Sequence, residues 1–178
     1  GNFFPAGTKQ REFLATYSRR LNTVEGNTTF YALPDVATLE RWRDDTPADF
    51  RFCLKVPQSI SHQRKLIGAG EETAAFVDRL QRLGPRCGPA FLQLPPTFGA
   101  RQLPALAAYL AAWPREFALA VEPRHADFFG AAESEFEGLL RAHNMQRGIF
   151  DTTALFALPG SHSSAVSEAQ ERKPRFAF

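Results

Sequence analysis

The sequence predicts an α/β protein: part of a (β/α)8 TIM barrel in which parallel strands alternate with helices. Three observations predict it. β-rich runs recur about every 30 residues, with a helical apolar pattern between each pair. Each run stops at a Pro- or Gly-marked loop. The glycine-rich phosphate fingerprints of doubly wound folds, GxGxxG and GKS or GKT, do not occur.

The elements follow in order. Phe13, Leu14, Tyr17, Leu21 and Val24 recur at helical spacing and predict a helix across Thr8 to Leu21. The first strand is expected at Thr23 to Asn27. Val36, Leu39 and Trp42 mark the next helix, which Thr46-Pro47 ends. Phe50 to Val56 is the second strand, followed by a long polar loop and a helix through Ala75, Phe76, Leu80 and Leu83. The third strand, Ala90 to Leu94, stops at Pro95-Pro96. A helix through Leu103, Leu106, Leu110 and Trp113 leads to the fourth strand, Phe117 to Glu122. A helix around Phe136, Leu139 and Leu140 precedes the fifth, Gly148 to Asp151.

Five strands do not close the usual eight-stranded barrel. The expectation is one domain over residues 1–178, an internal fragment lacking the first strand and at least two final strands, with a polar irregular tail over 157–178. Such a piece exposes sheet edges. It is expected to be marginal, dimeric or dependent on absent segments.

Composition bounds the function. Hydrophobic residues make up 44% and charged residues 22%, the balance of an ordinary globular protein. A net charge of +2 without a basic run argues against a broad nucleic-acid groove and leaves room for a local anion pocket. The two cysteines, Cys53 and Cys87, lack the spacing of a zinc site or a disulfide framework. No apolar run reaches the roughly 18–20 residues that span a bilayer. No charged-then-apolar leader opens the chain, and a reducing cytoplasm is expected.

Strand side chains alternate between faces. In the second strand Phe50, Phe52, Leu54 and Val56 belong under the helices, which turns Arg51, Cys53 and Lys55 inward. The same parity turns Glu25 and Asn27, Phe91 and Gln93, Glu122 and Asp151 inward, with Arg124 if the extended path continues past Pro123. The inward set near the carboxyl ends is therefore Glu25, Asn27, Lys55, Gln93, Glu122, Arg124 and Asp151. Active sites of barrel enzymes lie at that end. The competing structural reading is an internal ion-pair layer joining Glu25 or Glu122 to Lys55 or Arg124.

At these residues the sequence resembles the YecE-like family, domain of unknown function family 72. The matching stretches are GNFFP (Gly1 to Pro5), VEGNTTFYALP (Val24 to Pro34), RWRDDTPADFRFCLKVPQSISH (Arg41 to His62), AFLQLPPTF (Ala90 to Phe98), LAVEPRHADFF (Leu119 to Phe129) and FDTT (Phe150 to Thr153). The resemblance implies a TIM barrel whose first strand and last part lie outside this sequence. It implies no reaction.

Three functions fit the inward set. The leading one is acid–base chemistry on a small polar compound, sugar-like or phosphorylated. Here Glu25, Lys55, Glu122 and Asp151 are the candidate catalytic residues, Glu122 and Glu25 as acid and base and Lys55 or Arg124 neutralising an oxyanion or phosphate. Asn27, Tyr31, His62, Gln93, Arg124 and His125 are the candidate substrate-binding residues, with Tyr31 and Phe128-Phe129 as an apolar wall. The second is a metal-dependent hydrolase, isomerase or phosphodiesterase drawing on Glu25, Glu122, His125, Asp151 and His62. No compact ligand motif supports it, so no residue is assigned to a metal. The third is a non-catalytic binder of an anionic ligand or nucleic acid, using Arg124, His125, Lys55, His62 and Arg64. The sequence names no cofactor.

Overall fold

The computed structural model describes residues 3–149. Asp151 and the polar tail, where the sequence also placed site and boundary features, lie outside the described residues.

Helices and parallel strands alternate: α1 Phe13–Ser18, β1 Thr23–Gly26, α2 Val36–Asp44, β2 Arg51–Leu54, α3 Gly70–Leu83, β3 Ala90–Gln93, α4 Leu103–Ala112, β4 Leu119–Glu122, α5 Glu133–Ala142 and β5 Gln146–Arg147. β1 pairs with β2, and β3 with β4 and β5, all in parallel. Isolated parallel bridges, Phe52 with Cys87 and Lys55 with Phe91, join the two sets. The spatial order is thus β1-β2-β3-β4-β5, the chain order. A doubly wound sheet reverses direction at a switch point, and the strand order among the described residues has none. Among the described residues β1 and β5 are open edges.

Local chemistry starts and stops the elements. The Asp35 carboxylate accepts the Thr38 N–H at 2.7 Å and caps α2. Gly84 ends α3 with φ +54°, a left-handed position suited to glycine. The outward row of β2 is fully packed: Phe50, Phe52, Leu54 and Val56 are each at most 2% exposed. Leu92 and Leu94 of the third run and Val121 of β4 sit beside them in one core with Phe76, Leu80, Leu106 and Phe136. Helix burial against this row fixes the register, because a one-residue slip would turn the whole row to solvent.

Four expectations need correction. The first helix is shorter than Thr8 to Leu21: a 3-10 turn at Gln10–Glu12 leads into α1. Phe13 and Leu21 remain 40% and 44% exposed, so only part of that apolar periodicity is buried. β1 ends at Gly26, and Asn27 opens a 3-10 turn over Asn27–Phe30. The loop after β2 is not simply polar, since it contains a π-helical turn, Ser59–Gln63, with Ile60 and Ser61 fully buried. The fifth strand pairs from Gln146, ahead of the expected Gly148, and the Gly148 N–H continues onto the Val121 carbonyl at 2.8 Å. Its start is polar: Arg147 is held by Glu133 and Glu137 at 2.9 and 2.8 Å rather than by apolar burial.

Candidate functional site

The carboxyl ends of β2, β3 and β4 carry one connected row of polar side chains. The Lys55 Nζ donates to the Gln93 Oε1 at 3.1 Å. The Gln93 Nε2 donates to both Glu122 carboxylate oxygens, at 3.2 and 3.1 Å. Glu122 also forms an ion pair with Arg124. The amide orientation is set by chemistry, since its oxygen must face the ammonium and its NH2 the carboxylate. Lys55, Gln93, Glu122 and Arg124 are four of the side chains that strand parity turns inward, and they meet in one row. The ion-pair layer is present in part: Glu122 pairs with Arg124, whereas Lys55 meets a neutral amide.

Lys55 sits in an aromatic setting. Its ammonium lies 4.4 Å from the Phe30 ring centroid and 5.7 Å from that of Phe91. Burial pulls the Lys55 pKa below the ordinary lysine value, the Glu122 and Glu25 carboxylates pull it back up, and Arg124 lowers it again. The net direction is down, so desolvation outweighs the two carboxylates. On β1, exposed Glu25 accepts the Asn27 side-chain N–H at 3.0 Å. Asn27 is exposed and meets Glu25 from a turn rather than from a strand.

His62 is delivered by the turn after β2. Its ring meets Phe30 edge-on at 5.0 Å, so His62 and Lys55 share that ring as a neighbour. Burial, then the Lys55 charge, holds His62 below the ordinary histidine value. The unfolded chain binds a proton at His62 more readily than the native one does, so native stability falls as pH falls. The contribution is intact above the ordinary histidine range and lost once pH passes below the folded value. Melting scans from about pH 8 to about pH 5 are expected to show a falling midpoint, with a shallower slope in His62→Gln. Equal slopes would contradict this placement of His62.

Four predicted residues do not join the row. Tyr31 is 74% exposed and forms no wall; Phe30, one residue earlier, takes that role. His125 turns to the loop after β3. Its Nδ1 accepts the Asp127 N–H at 3.2 Å, and its ring lines a pocket with Thr97, Gly99, Ala100, Arg101, Gln102 and Asp127. Asp127 in turn accepts the Ala100 N–H at 2.9 Å, tying the two loops together. The Phe128-Phe129 wall is also absent: Phe128 is fully buried against Phe136, and Phe129 lies against Arg147. No three His, Cys, Asp or Glu residues gather as a metal site among the described residues. The thiols do not enter the row, and burial, with Cys53 nearby, pushes Cys87 up to about 11.

Three supporting residues carry no sequence motif. Thr29 is fully buried, and its hydroxyl reaches the Gly26 and Lys55 carbonyls at 3.0 and 2.7 Å, locking the turn that carries Phe30 onto the end of β2. Ser61 is fully buried beside His62. Gly148 lets β5 lie close under Glu122, where an added Cβ would stand 3.1 Å from that of Glu122.

The fold and row define a class: an α/β protein of sequentially ordered parallel strands, with a polar cluster at their carboxyl ends. The family model "Protein of unknown function DUF72" matches residues 1–177, and the chain belongs to that family. It is 44% identical over 164 residues to the UPF0759 protein YecE of Escherichia coli K12, a match that takes in 91% of this chain and 60% of the relative. The chain therefore spans about 60% of the length of that curated relative. The UPF0759 protein YunF of Bacillus subtilis is 33% identical over 64 residues, 35% of this chain and 23% of YunF. A crystal structure of a DUF72-family protein from Thermotoga maritima aligns with TM-score 0.68 at 22% identity, covering 96% of this chain and 81% of that one. One from Enterococcus faecalis aligns with TM-score 0.66 at 22% identity, covering 78% and 58%. At such identity the two structures speak to the fold. No helix among the described residues is long and apolar enough to cross a membrane.

Proposed function

We propose that the arc is part of an eight-stranded barrel and that its carboxyl-terminal face binds a small polar or anionic compound and performs acid–base chemistry on it. The observation that supports this best is the setting of Lys55. The ammonium is half-buried beside Phe30 and Phe91, and its hydrogen bond goes to a neutral amide. An ammonium has three protons to donate. Among the described residues Gln93 takes one, and the other two can point to the oxygens of a ligand. The nearby carboxylates keep the positive charge affordable without neutralising it by direct contact.

The candidate residues then divide by role. Glu122 is occupied by Gln93 and Arg124, so it orients the row rather than moving a proton. Lys55 supplies charge to an oxyanion or phosphate. Glu25, exposed and held by Asn27, and His62, held neutral, are the groups with room for proton transfer. Asp151 is retained as a proposed catalytic residue. Tyr31 and His125 are retained at the rim of the face as contacts for a larger ligand. For a metal-dependent reaction the donors among the described residues do not converge, and Lys55 and Arg124 would oppose a cation.

Titration calorimetry with inorganic phosphate and with a sugar phosphate tests the reading. The full chain is expected to bind at least one of them. Lys55→Met should weaken that binding about 10- to 100-fold, the worth of a hydrogen bond to a charged group. Absence of binding to both, or binding unchanged in Lys55→Met, would contradict it. Binding without turnover across small hydroxylated compounds would favour a non-catalytic anion binder.

A further inference from the structure

We propose that His62 is the proton acceptor of this face, acting through a bare Nε2, and that Ser61 is the positioning residue that fixes this tautomer. The assignment deepens the reading above and rests on it for the presence of a substrate.

The Ser61 hydroxyl is fully buried and has one proton to place. Ser61 Oγ lies 3.1 Å from the Pro57 carbonyl oxygen and 2.8 Å from His62 Nδ1. A carbonyl oxygen only accepts, and a hydroxyl has one proton to give. If that proton goes to Pro57, as is usual for serine on a helical turn, the Oγ lone pair accepts from Nδ1–H. Both contacts are then hydrogen bonds. If the hydroxyl instead donates to Nδ1, the Pro57 carbonyl keeps the Ile60 and Ser61 N–H groups at 3.1 Å each, and the Ser61 Oγ stands 3.1 Å from it with no proton between the two oxygens. The first arrangement puts the single ring proton of a neutral imidazole on Nδ1 and leaves Nε2 with its lone pair. Among the described residues no hydrogen bond from the protein occupies Nε2.

Two further observations point to the same ring. The segment that presents His62 is irregular. It is a π-helical turn followed by Lys65 at φ +47° and Leu66 at φ +70°, left-handed positions that cost a bulky side chain energy. Burial of Leu66, with its N–H on the Ile60 carbonyl at 3.0 Å, holds that geometry. Second, Lys55 stands over the Phe30 ring that His62 meets edge-on. Lys55 is the charged group that acts on His62, and Glu122, Glu25 and Arg124 act on Lys55 in turn.

The step is a proton transfer. The Nε2 lone pair takes the proton of a substrate hydroxyl. The O–H bonding pair stays on the substrate oxygen, and the Lys55 ammonium stabilises the alkoxide that results. The substrate class is a small hydroxylated compound whose hydroxyl reaches between the two side chains. Return of the proton from His62 to a leaving or product oxygen restores the base.

Long-range proton–nitrogen correlation of the imidazole rings in the full 15N-labelled chain tests the assignment, with His62→Gln identifying the signals. The expected result is a neutral His62 with the proton on Nδ1 and a midpoint below the ordinary histidine value. Ser61→Ala should return the ring to the Nε2–H form favoured in water, and Lys55→Met should raise the midpoint. A wild-type ring with the proton on Nε2, or a tautomer unmoved in Ser61→Ala, would overturn the proposal. Should Ser61→Ala fail to fold, the wild-type tautomer and the Lys55→Met shift decide. A protonated Nε2 alongside intact phosphate binding sinks this assignment alone. A bare Nε2 in a chain that binds no anion sinks the broader reading and leaves the tautomer assignment standing.

Discussion

Replacing Glu122 with glutamine is expected to lower the melting temperature by at least about 6 °C. The substitution keeps the shape and removes the Glu122 charge that faces the Arg124 guanidinium. The two side chains are 11% and 19% exposed, so solvent screens them little. Breaking a buried ion pair by removing one partner costs about 3–5 kcal/mol. A domain of about 150–250 residues loses roughly 2–4 °C per kcal/mol. The same change disturbs the Gln93 amide, whose NH2 group gives both its contacts to the carboxylate. Calorimetric melting of both proteins checks it. An unchanged or higher melting temperature would mean that the charge is kept at no benefit to stability, as in a working residue, and would move Glu122 from anchoring to chemistry.

A second large loss is expected from Phe52→Ala. Phe52 is 2% exposed, stacks on Trp42 at 5.6 Å and meets Phe50 edge-on at 5.1 Å. Truncation removes the ring and leaves a cavity that the surrounding rings fill only partly. The cost of such changes is about 3–5 kcal/mol, so the drop in melting temperature should match or exceed that of Glu122→Gln. A loss below about 1 kcal/mol would show that β2 is not anchored by its outward row. This anchoring matters to the site because the same strand, three residues on, presents Lys55.

The inward row was legible because alternation carries information twice. In β2 the outward residues are apolar and fully packed, which leaves no choice for Lys55. The same holds for Gln93 and Glu122, whose strand neighbours Leu92 and Val121 are fully buried. Parity lost its force where the backbone left the extended form. At Asn27 the chain coils into a 3-10 turn, so Phe30 rather than Tyr31 faces Lys55. Past Glu122 the backbone is still extended at His125, and the alternation that brings Arg124 to Glu122 turns His125 the other way, toward Gly99 and Asp127. Thr29 and Ser61 were illegible for another reason. Each matters through a hydroxyl bonded to a backbone carbonyl, and such contacts leave no periodic trace in sequence. The start of β5 was missed because Arg147 is held by ion pairs and lacks the apolar signature of a buried strand.

Lys55, Glu122 and Arg124 act as one electrostatic unit around a desolvated ammonium. Titration of the Lys55 ε-carbon signal in the labelled protein, with Lys55→Met to identify it, reads this most directly. The midpoint should lie below that of an ordinary lysine, rise in Arg124→Leu and fall further in Glu122→Gln, since Arg124 lowers it and Glu122 raises it. A midpoint at the ordinary lysine value, unmoved by either substitution, would contradict the claim.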